Sequence, residues 1–396
     1  MRTIRSRSSI EVGGGAILLA TIGLACNLEA ALGVDGDGGE SADGATDATT
    51  ESVGSGDPES SDTDVTETDG ASAGSSGEPE PEPEPPSVGC VDRHLRVATF
   101  NVQGVDGQQT ASHDALVSVV QRIDADILCL QEVVFYEDDE LSSLALQAGY
   151  TRVIQSNEPP AIGGDLTNAC LSRAPMTIEG SYSGGDLGTD PGANDVGRDI
   201  LVVRADLSSD DEPCGLGVVT LHLKSGQEPL DWFRRQMEAQ RVAQAVQRYR
   251  TEHPGEPIVI MGDLNETIDD PALGHVFPGI PSGLPSSYRV GSDIEFPLTY
   301  QPFETLRALG FREADATQED TVGAYETWAD IVRLDYVLYD EGLQLEADEV
   351  YNACRDNGVD DAPTGNWVPK QGAALSCPIS EQASDHFPVL ADLIMR

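Results

Sequence analysis

Five short apolar runs in this chain each carry a polar residue of a kind that serves in catalytic sites. The runs are Thr99-Phe100-Asn101-Val102, Cys129-Leu130-Gln131-Glu132-Val133, Met261-Gly262-Asp263-Leu264-Asn265, Arg333-Leu334-Asp335-Tyr336-Val337 and Ser384-Asp385-His386-Phe387-Pro388-Val389. Apolar, β-branched runs bounded by loop-forming residues predict β-strands. The pattern therefore predicts several strands whose polar ends meet at one site.

The secondary structure predicted around these runs is mixed. Seven strands are expected, at residues 95–101, 127–132, 200–206, 217–223, 258–262, 335–339 and 387–392. Apolar residues at helical spacing predict a helix over 112–123, and a long glycine-free stretch predicts another over 231–249. Strands interspersed with helices indicate an α/β domain, but periodicity alone does not choose its topology.

In their order and chemistry, the five runs resemble the endonuclease/exonuclease/phosphatase superfamily, over about residues 95–392. Its members include deoxyribonuclease I, abasic-site endonucleases, neutral sphingomyelinases and inositol-polyphosphate 5-phosphatases. The resemblance implies a four-layer α/β sandwich, in which two mixed β-sheets are flanked by helices and the site lies at one edge of the sheets. It also implies hydrolysis of a phosphate ester with the help of a divalent metal ion.

Three residues are expected to hold that metal. Carboxylate and amide oxygens are hard ligands, which suit Mg²⁺ and also Mn²⁺. Glu132 follows a predicted strand, and Asn101 ends another. The resemblance assigns both residues to the metal and adds Asp385 as a further metal-site carboxylate.

Asp263 and Asn265 stand two residues apart after an apolar strand. In extended backbone, their side chains would point to the same side and could share one phosphate. The resemblance assigns Asp263 to orienting or deprotonating the attacking water, and Asn265 to holding the phosphate or a metal. On its own, a Gly-Asp-Leu-Asn sequence is more often an ordinary turn, because Gly, Asp and Asn all favour turns.

Two histidines are candidates for proton transfer or phosphate stabilisation. A carboxylate can fix the tautomer of His386 and stabilise its charged form, and Asp335 matches the family's partner for this role. His222, near a strand end, resembles the family's His-Leu element, which donates to the phosphate or serves as a second acid. The alternative for each histidine is a hydrogen-bonded structural residue.

Less specific resemblance assigns Asn168 and Arg198 to substrate binding. Arg198 could equally form a surface ion pair. Thr327 and Trp328 are expected to line the substrate cleft, with a place in the core as the alternative for Trp328.

The beginning of the chain differs from the rest in composition. Residues 1–26 place three arginines before a short apolar run, which is typical of a secretory signal, and Gly23-Leu24-Ala25-Cys26 resembles a bacterial lipoprotein cleavage box with Cys26 lipidated. An ordinary secreted protein is the alternative. Residues 27–89 carry 17 Asp and Glu without Lys or Arg, which predicts a disordered acidic linker. The catalytic domain is then expected at 90–396, at the cell envelope or outside the cell.

Six further cysteines are Cys90, Cys129, Cys170, Cys214, Cys354 and Cys377. An exported chain can keep disulfides, although their connectivity does not follow from sequence. A bridge between Cys354 and Cys377 is plausible, whereas Cys129 and Cys170 lie in apolar runs and are interpreted as buried thiols.

The net charge of the predicted domain limits which substrates it can bind tightly. Residues 90–396 contain 51 Asp and Glu against 20 Lys and Arg, a difference of −31, which disfavours tight binding of a polyanion. From the breadth of the family, an exported Mg²⁺-dependent endonuclease is nevertheless the first hypothesis. A hydrolase of phospholipid or of a small phosphomonoester is the second, and a non-catalytic surface binding domain is the third. No obligate protein partner is inferred, while a lipid anchor at Cys26 would attach the chain to a membrane.

One observation would separate these hypotheses. Four arginines, Arg234, Arg235, Arg241 and Arg248, lie in the predicted helix 231–249. If they clustered on one exposed helix face, they would favour nucleic acid as the substrate.

Overall fold

The computed structural model describes residues 90, 92–105, 110–135, 138–157, 162, 165–209, 213–318, 324–356, 358 and 368–396. The predicted signal segment with Cys26, and the predicted linker, lie outside the described residues. Within the described ranges, no helix has both the length and the apolar character needed to cross a membrane.

The described part of the chain contains strands interspersed with helices. The strands are β1 (His94–Asn101), β2 (Ile127–Val134), β3 (Arg152–Gln155), β4 (Leu166–Ser172), β5 (Met176–Tyr182), β6 (Ile200–Asp206), β7 (Gly215–His222), β8 (Ile258–Asp263), β9 (Val276–Phe277), β10 (Leu298–Thr299), β11 (Arg312–Glu313), β12 (Asp335–Tyr339), β13 (Leu343–Val350) and β14 (Val389–Met395). The helices are α1 (Ala111–Ile123), α2 (Asp138–Gln147), α3 (Pro229–Glu252), α4 (Pro302–Arg307) and α5 (Pro378–Ala383). All seven predicted strands and both predicted helices are confirmed, with small shifts at their ends.

Two six-stranded sheets form the centre of the domain. The first has the order β13-β14-β1-β2-β4-β3 and the second the order β11-β12-β8-β7-β6-β5. Both sheets are mixed, because β1 and β2 are parallel in the first and β7 and β8 are parallel in the second, whereas the other pairs are antiparallel. The parallel pairs direct two strand ends of each sheet toward the same edge.

The apolar side chains divide into layers. One buried cluster lies between the sheets and takes residues from both, such as Val97 and Ile127 from the first and Val218 and Met261 from the second. A second cluster joins the other face of the first sheet to α1 and α2, and a third joins the other face of the second sheet to α3 and α4. The expected four-layer α/β sandwich is therefore confirmed.

Six cysteines of the described part form three disulfides. The plausible Cys354 to Cys377 bridge is present. The interpretation of Cys129 and Cys170 as buried thiols is wrong, because they face each other directly across β2 and β4 and form a disulfide. The third bridge joins Cys90 to Cys214.

The Cys90 to Cys214 bridge is expected to be the largest single covalent contribution to stability. It closes a separation of 124 residues, against 23 for the Cys354 to Cys377 bridge. Loss of a native disulfide costs about 2–5 kcal/mol, and the chain-entropy model makes the longer loop worth about 1.5 kcal/mol more. We expect Cys90→Ser with Cys214→Ser to lower the free energy of unfolding more than the matched Cys354→Ser with Cys377→Ser. Urea denaturation of both double variants measures this difference, and a reversed order would contradict the expectation.

Candidate active site

The polar strand ends meet at one edge of the sandwich. In the second sheet, register pairs His222 with Asp263 across β7 and β8, and Asp263 with Asp335 across β8 and β12. In the first sheet, Asn101 ends β1 beside the β2 segment that carries Glu132. His386 lies just before β14, which borders β1. Five separate segments thus deliver their side chains to one place.

Glu132 reaches this edge through an irregularity in its strand. The register of β2 with β4 shifts between Leu130 and Val133, and Glu132 has a φ of 60°. A β-bulge of this kind redirects side chains, and such positive φ values are uncommon outside glycine. The Asn101 amide Nδ2 donates to Glu132 Oε1 at 3.2 Å and to Asp263 Oδ2 at 3.1 Å. Asn101 therefore links the carboxylates of the two sheets.

A chain of hydrogen bonds behind these residues fastens the sheets together. Thr99 Oγ1 donates to Gln131 Oε1 at 3.0 Å, and Gln131 Nε2 donates to Thr220 Oγ1 at 3.0 Å. All three side chains are fully buried. Because each precedes a site residue by one or two positions, the bridge fixes the spacing between Asn101, Glu132 and His222.

The turn after β8 differs from its expected geometry. The expectation of extended backbone from Asp263 to Asn265 is wrong, because Asn265 has a φ of 49° and its backbone N–H donates to Asp263 Oδ1 at 2.8 Å. Asn tolerates this left-handed conformation, and the carboxylate of an Asp readily closes such a turn. Asn265 Nδ2 donates to the Leu223 carbonyl at 3.0 Å, so its Oδ1 is the amide atom left to face the site. Gly262 is required here, since a Cβ would lie 2.0 Å from the Leu221 carbonyl oxygen.

His386 and Asp335 form a buried pair. His386 Nδ1 donates to Asp335 Oδ2 at 2.8 Å, and His386 Nε2 lies 4.0 Å from Asp263 Oδ2. Burial alone would lower the pKa of His386, but the Asp335 carboxylate and its hydrogen bond raise that pKa to about 10. His386 is therefore a cation at neutral pH, with Nε2–H directed toward the site.

Asp263 lies at the centre of the cluster. Burial and the nearby Asp335 carboxylate raise the pKa of Asp263 to about 7, against the opposing effect of His386. A carboxylate that titrates near neutral pH is well matched to accepting a proton.

His222 faces the same carboxylates but in a different charge state. Its Nε2 lies 3.5 Å from Asp263 Oδ2 and 3.7 Å from Glu132 Oε1. Burial lowers the pKa of His222 well below its usual value, and the positive charge of Arg198 lowers it further. A neutral imidazole can donate one hydrogen bond to a bound phosphate, so the two histidines are electrostatically distinct.

Asp385 lies at the rim of the cluster. Its Oδ2 accepts a hydrogen bond from Trp328 Nε1 at 3.1 Å, which places Trp328 beside the site. The preceding Ser384 donates through Oγ to the Asn101 carbonyl at 2.7 Å and so ties this segment to β1. Among the described residues, the group of possible metal ligands at this edge consists of Asp263, Asp335 and His386 and does not include Asp385, so the expected metal role of Asp385 rests on position alone.

Two other candidate substrate-binding residues come from different sheets, Asn168 from the first and Arg198 from the segment just before β6 of the second. Asn168, in β4, donates through Nδ2 to the Asp199 carbonyl at 2.7 Å, while its buried Oδ1 has no hydrogen-bond partner in the described part of the chain. Arg198 is half-buried directly before β6, and it makes no hydrogen bond or ion pair with any described residue. Arg198 therefore does not form a surface ion pair with a described residue, and that alternative is wrong.

Two buried residues support the site in roles that were not predicted from the sequence, although Thr327 was expected at the substrate cleft. Thr327 Oγ1 accepts hydrogen bonds from the backbone N–H groups of Leu334 and Asp335, at 2.9 and 3.0 Å, and the Thr327 carbonyl accepts one from Phe387 at 2.6 Å. Glu238, in α3, accepts hydrogen bonds from two loops beside His222. The sequence signal for Thr327 is only that it stands eight residues before the Asp that begins β12. No sequence signal indicates the role of Glu238.

The donor set suits a divalent cation. Asp263, Asp335 and His386 place possible ligand atoms within 4.8 Å of one another. A protonated His386 bonded to Asp335 cannot serve as a ligand, so this trio fits proton transfer better than metal binding. Glu132 offers a hard carboxylate oxygen here, whereas Asn101 turns Nδ2 to Glu132 and Asp263, and its Oδ1 accepts a hydrogen bond from the Gln103 N–H at 3.1 Å. Asn101 would therefore have to rotate its amide to offer an oxygen to a metal. Glu132 and Asp263 both accept from the same Asn101 Nδ2, so their carboxylates lie close together, and Mg²⁺ would stabilise such a pair, which is the observation that supports a metal at Glu132.

A model of the Endonuclease/Exonuclease/phosphatase family matches residues 98–386, a range that spans the polar residues of all five runs. No curated protein matches this chain. Among solved structures, an endonuclease/exonuclease/phosphatase from Beutenbergia cavernae is 18% identical, covers 76% of this chain and 72% of its own, and has a TM-score of 0.46. One from Bacteroides vulgatus is 16% identical, with 77% and 100% covered and a TM-score of 0.47. A mannosyl-6-phosphatase from Bacteroides thetaiotaomicron is 15% identical, with 76% and 100% covered and a TM-score of 0.44.

Proposed function

Because this chain belongs to the endonuclease/exonuclease/phosphatase family and is thus a metal-dependent phosphoric ester hydrolase, we propose that it is an exported, Mg²⁺-dependent hydrolase of small phosphate esters. The observation that carries the proposal is the hydrogen-bonded cluster of Asn101, Glu132 and Asp263 beside two histidines of different charge. Such a set combines hard metal ligands, a proton acceptor and groups that donate hydrogen bonds to a phosphate.

Each residue has a separate role in the in-line attack of water on the phosphate. Glu132, Asn101 and Asp385 are the residues that would hold Mg²⁺, with Asn101 binding through Oδ1 after its amide rotates away from the Gln103 N–H. When bound, the ion neutralises charge on the nonbridging phosphate oxygens. Asp263 orients the attacking water and accepts its proton, which its pKa near 7 allows.

Donors on both sides then stabilise the charge that develops on the phosphate. Neutral His222 donates through Nε2, and cationic His386 donates through Nε2 while Asp335 holds its ring. Asn265, Asn168 and Arg198 surround the phosphate and orient it. Preorganised donors of this kind act on the transition state without reorganising during the reaction.

The burial of the helix arginines argues for a small substrate. Arg235 is bound to Glu266 at 2.9 Å, and Arg241 to Asp195 at 2.7 Å and Asp293 at 2.8 Å, all in the interior. Arg234 is also buried, and Arg248 is paired with Glu252. The helix thus presents no cationic face that could neutralise a row of phosphates, in a domain that is acidic overall.

Competing substrates test this proposal directly. We expect purified protein in Mg²⁺ to hydrolyse bis(p-nitrophenyl) phosphate or p-nitrophenyl phosphate while leaving supercoiled plasmid and sphingomyelin vesicles intact. His222→Ala serves as the site control. Plasmid nicking that is lost in His222→Ala would replace the small-ester proposal with the endonuclease hypothesis, and vesicle hydrolysis would replace it with the phospholipid hypothesis.

Export is supported by the three disulfides, since such bonds persist in oxidising compartments.

Lipidation at Cys26 can be tested separately in a bacterial host. We expect the full chain to fractionate with membranes and Cys26→Ser to be released from them. Equal membrane association of both would exclude Cys26 as the anchor.

Thr327 is expected to act as a positioning residue for the Asp335 and His386 pair. Thr327→Val would leave two buried N–H groups without an acceptor, at a cost of about 1–3 kcal/mol. Because Asp335 would shift, we also expect kcat to fall on the order of 10- to 100-fold with a smaller change in KM. Thr327→Ser keeps the oxygen and should restore kcat. Steady-state kinetics of both variants measure this, and equal kcat values for Val and Ser would contradict the positioning role.

A further inference from the structure

A single carboxylate of α3 joins two backbone segments of the proposed site. Glu238 is 1% exposed, and its Oε1 accepts a hydrogen bond from the Gly197 N–H at 2.9 Å, while its Oε2 accepts one from the Lys224 N–H at 2.5 Å. Gly197 directly precedes Arg198, and Lys224 follows His222 by two residues. Glu238 therefore sets the distance between the backbone that carries Arg198 and the strand end that carries His222.

The space around this carboxylate is closely filled. A Cβ on Gly197 would lie 3.0 Å from Glu238 Oε1 and 3.2 Å from Arg234 Nη2, which is closer than ordinary van der Waals contact. Glycine at this position thus allows the backbone N–H to approach Oε1. Burial raises the pKa of Glu238, while the charge of Arg234 and the two backbone hydrogen bonds act in the opposite direction. A donor on each oxygen favours the ionised carboxylate.

The backbone of Arg198 is also held from its other side. Asp199 Oδ1 accepts a hydrogen bond from Thr167 Oγ1 at 3.1 Å, and the Asp199 carbonyl accepts one from Asn168 Nδ2 at 2.7 Å, both from β4. Arg198 thus stands between a residue bound to α3 and a residue bound to β4. Its half-buried guanidinium makes no hydrogen bond or ion pair with a described residue. The backbone of Arg198 is therefore fixed while its side chain is free to bind a ligand.

The loop that follows His222 is held by the same helix. Arg235 Nε donates to the Lys224 carbonyl at 2.9 Å, and Arg235 Nη2 donates to the Gly226 carbonyl at 2.5 Å. Both backbone groups of Lys224 are thus bound by side chains of α3. Arg235 holds this loop alone, whereas Glu238 holds both the loop and the segment of Arg198.

We propose that Glu238 is a positioning residue, which holds Arg198 and His222 at the separation that one bound phosphate requires. It acts through the backbone of these two residues and does not contact the substrate. The charge of Arg198 reaches His222, because it lowers the pKa of that imidazole further than burial does alone. A misplacement of about 1 Å can cost on the order of 10²-fold in rate, so a small shift of either segment would lower turnover. The effect on hydrolysis rests on the proposed function, whereas the alignment of the two side chains on a phosphate does not.

A double-mutant cycle separates positioning from a purely structural role. Glu238→Gln keeps the shape of the side chain, but its amide has one acceptor oxygen, so one of the two backbone N–H groups loses its partner. We expect kcat/KM for bis(p-nitrophenyl) phosphate to fall by about tenfold or more. In the Arg198→Gln and His222→Ala backgrounds the same change should cause a smaller fall, because part of the loss passes through the residue already removed. An equal fall in all three backgrounds would overturn the proposal.

Gly197→Ala is the second variant, and it retains the carboxylate. The added Cβ pushes the backbone N–H away from Oε1, so we expect a smaller fall in kcat/KM, again reduced in the Arg198→Gln background. Glu256→Gln is the matched control, because Glu256 accepts hydrogen bonds from Arg204 and Tyr249 and precedes β8 at the end opposite the site. Wild-type kcat/KM in a folded Gly197→Ala protein, or an equal fall in Glu256→Gln, would overturn the proposal.

Calorimetric titration with inorganic phosphate tests the alignment without turnover. We expect Glu238→Gln to bind phosphate about tenfold more weakly than wild type, and to add little to the weakening caused by Arg198→Gln. Unchanged phosphate affinity in a folded Glu238→Gln protein would overturn the positioning role. Weakened phosphate binding in Glu238→Gln, combined with no hydrolysis of any ester by wild type, would instead keep the positioning role and refute the proposed function. Absence of both phosphate binding and turnover in wild type would refute both.

Discussion

Asp263→Asn is expected to lower kcat by about 10³-fold while KM changes little, because general base catalysis contributes about 10²–10⁴-fold and the amide cannot accept the proton of water. Asn preserves the size of the side chain and its hydrogen bond with the Asn265 N–H. A loss confined to kcat would identify an interaction made in the transition state.

The same variant separates catalysis from stability. The pKa of Asp263 is raised in the fold from 3.8 to about 7, so its ionisation costs stability as the pH rises through this interval. We therefore expect metal-free Asp263→Asn to be at least as stable as wild type at pH 8, as measured by urea denaturation. Asp92→Asn is the control, since Asp92 is exposed at the other end of β1 and its φ of 65° suits Asn. Retained turnover in Asp263→Asn would remove Asp263 from the mechanism.

Glu132→Gln is expected to weaken Mg²⁺ binding on the order of 100-fold or more, since even the outer partners of metal ligands typically contribute about 10- to 100-fold. Loss of the carboxylate removes the anionic ligand while leaving an oxygen of similar position. We expect kcat/KM at 1 mM Mg²⁺ to fall by about 10²-fold or more, with partial recovery at higher Mg²⁺ concentration. Calorimetric titration with Mg²⁺ and a Mg²⁺ dependence of the rate measure the two effects.

Glu341→Gln is the matched control for Glu132→Gln, because Glu341 is exposed in the turn that follows β12, opposite to the site. Its Mg²⁺ dependence should equal that of wild type. If Glu132→Gln kept wild-type turnover and an unchanged Mg²⁺ dependence, Glu132 would not be a metal ligand.

The elements that carry the site could be predicted because their signals are local. β6 and β12 begin and end at the predicted residues, since buried strands are continuous apolar runs. The edge strands β3 and β5 carry no continuous apolar run. β3 and β5 are largely solvent-accessible, so their side chains do not form an apolar pattern, and both were missed.

Features that depend on distant residues could not be predicted. The disulfide between Cys129 and Cys170 follows from the register of β2 with β4, which a single sequence does not reveal. The arginines of α3 were interpreted as a possible surface cluster, whereas carboxylates from three remote segments draw Arg235 and Arg241 into the interior. Within the site, the residues around Asn265 suit both extended backbone and a turn, so the left-handed turn could be stated only as an alternative.

The residues that support the site have the weakest sequence signal. Thr327 and Glu238 act through backbone N–H groups of other segments, and such contacts leave no pattern in the sequence. Their hydrogen bonds set the positions of residues that the five runs do predict. Sequence therefore indicates the candidate side chains of the site, while the fold determines how they are held.

The central claim is that the edge joining Asn101, Glu132 and Asp263 is a metal-dependent phosphoesterase site. The most direct measurement is the turnover of bis(p-nitrophenyl) phosphate before metal removal, after removal, and after Mg²⁺ is restored, with Glu132→Gln measured in parallel. We predict that wild-type activity disappears without metal and returns with Mg²⁺, and that Glu132→Gln requires far more Mg²⁺. Wild-type turnover that is unchanged by metal removal would contradict the claim.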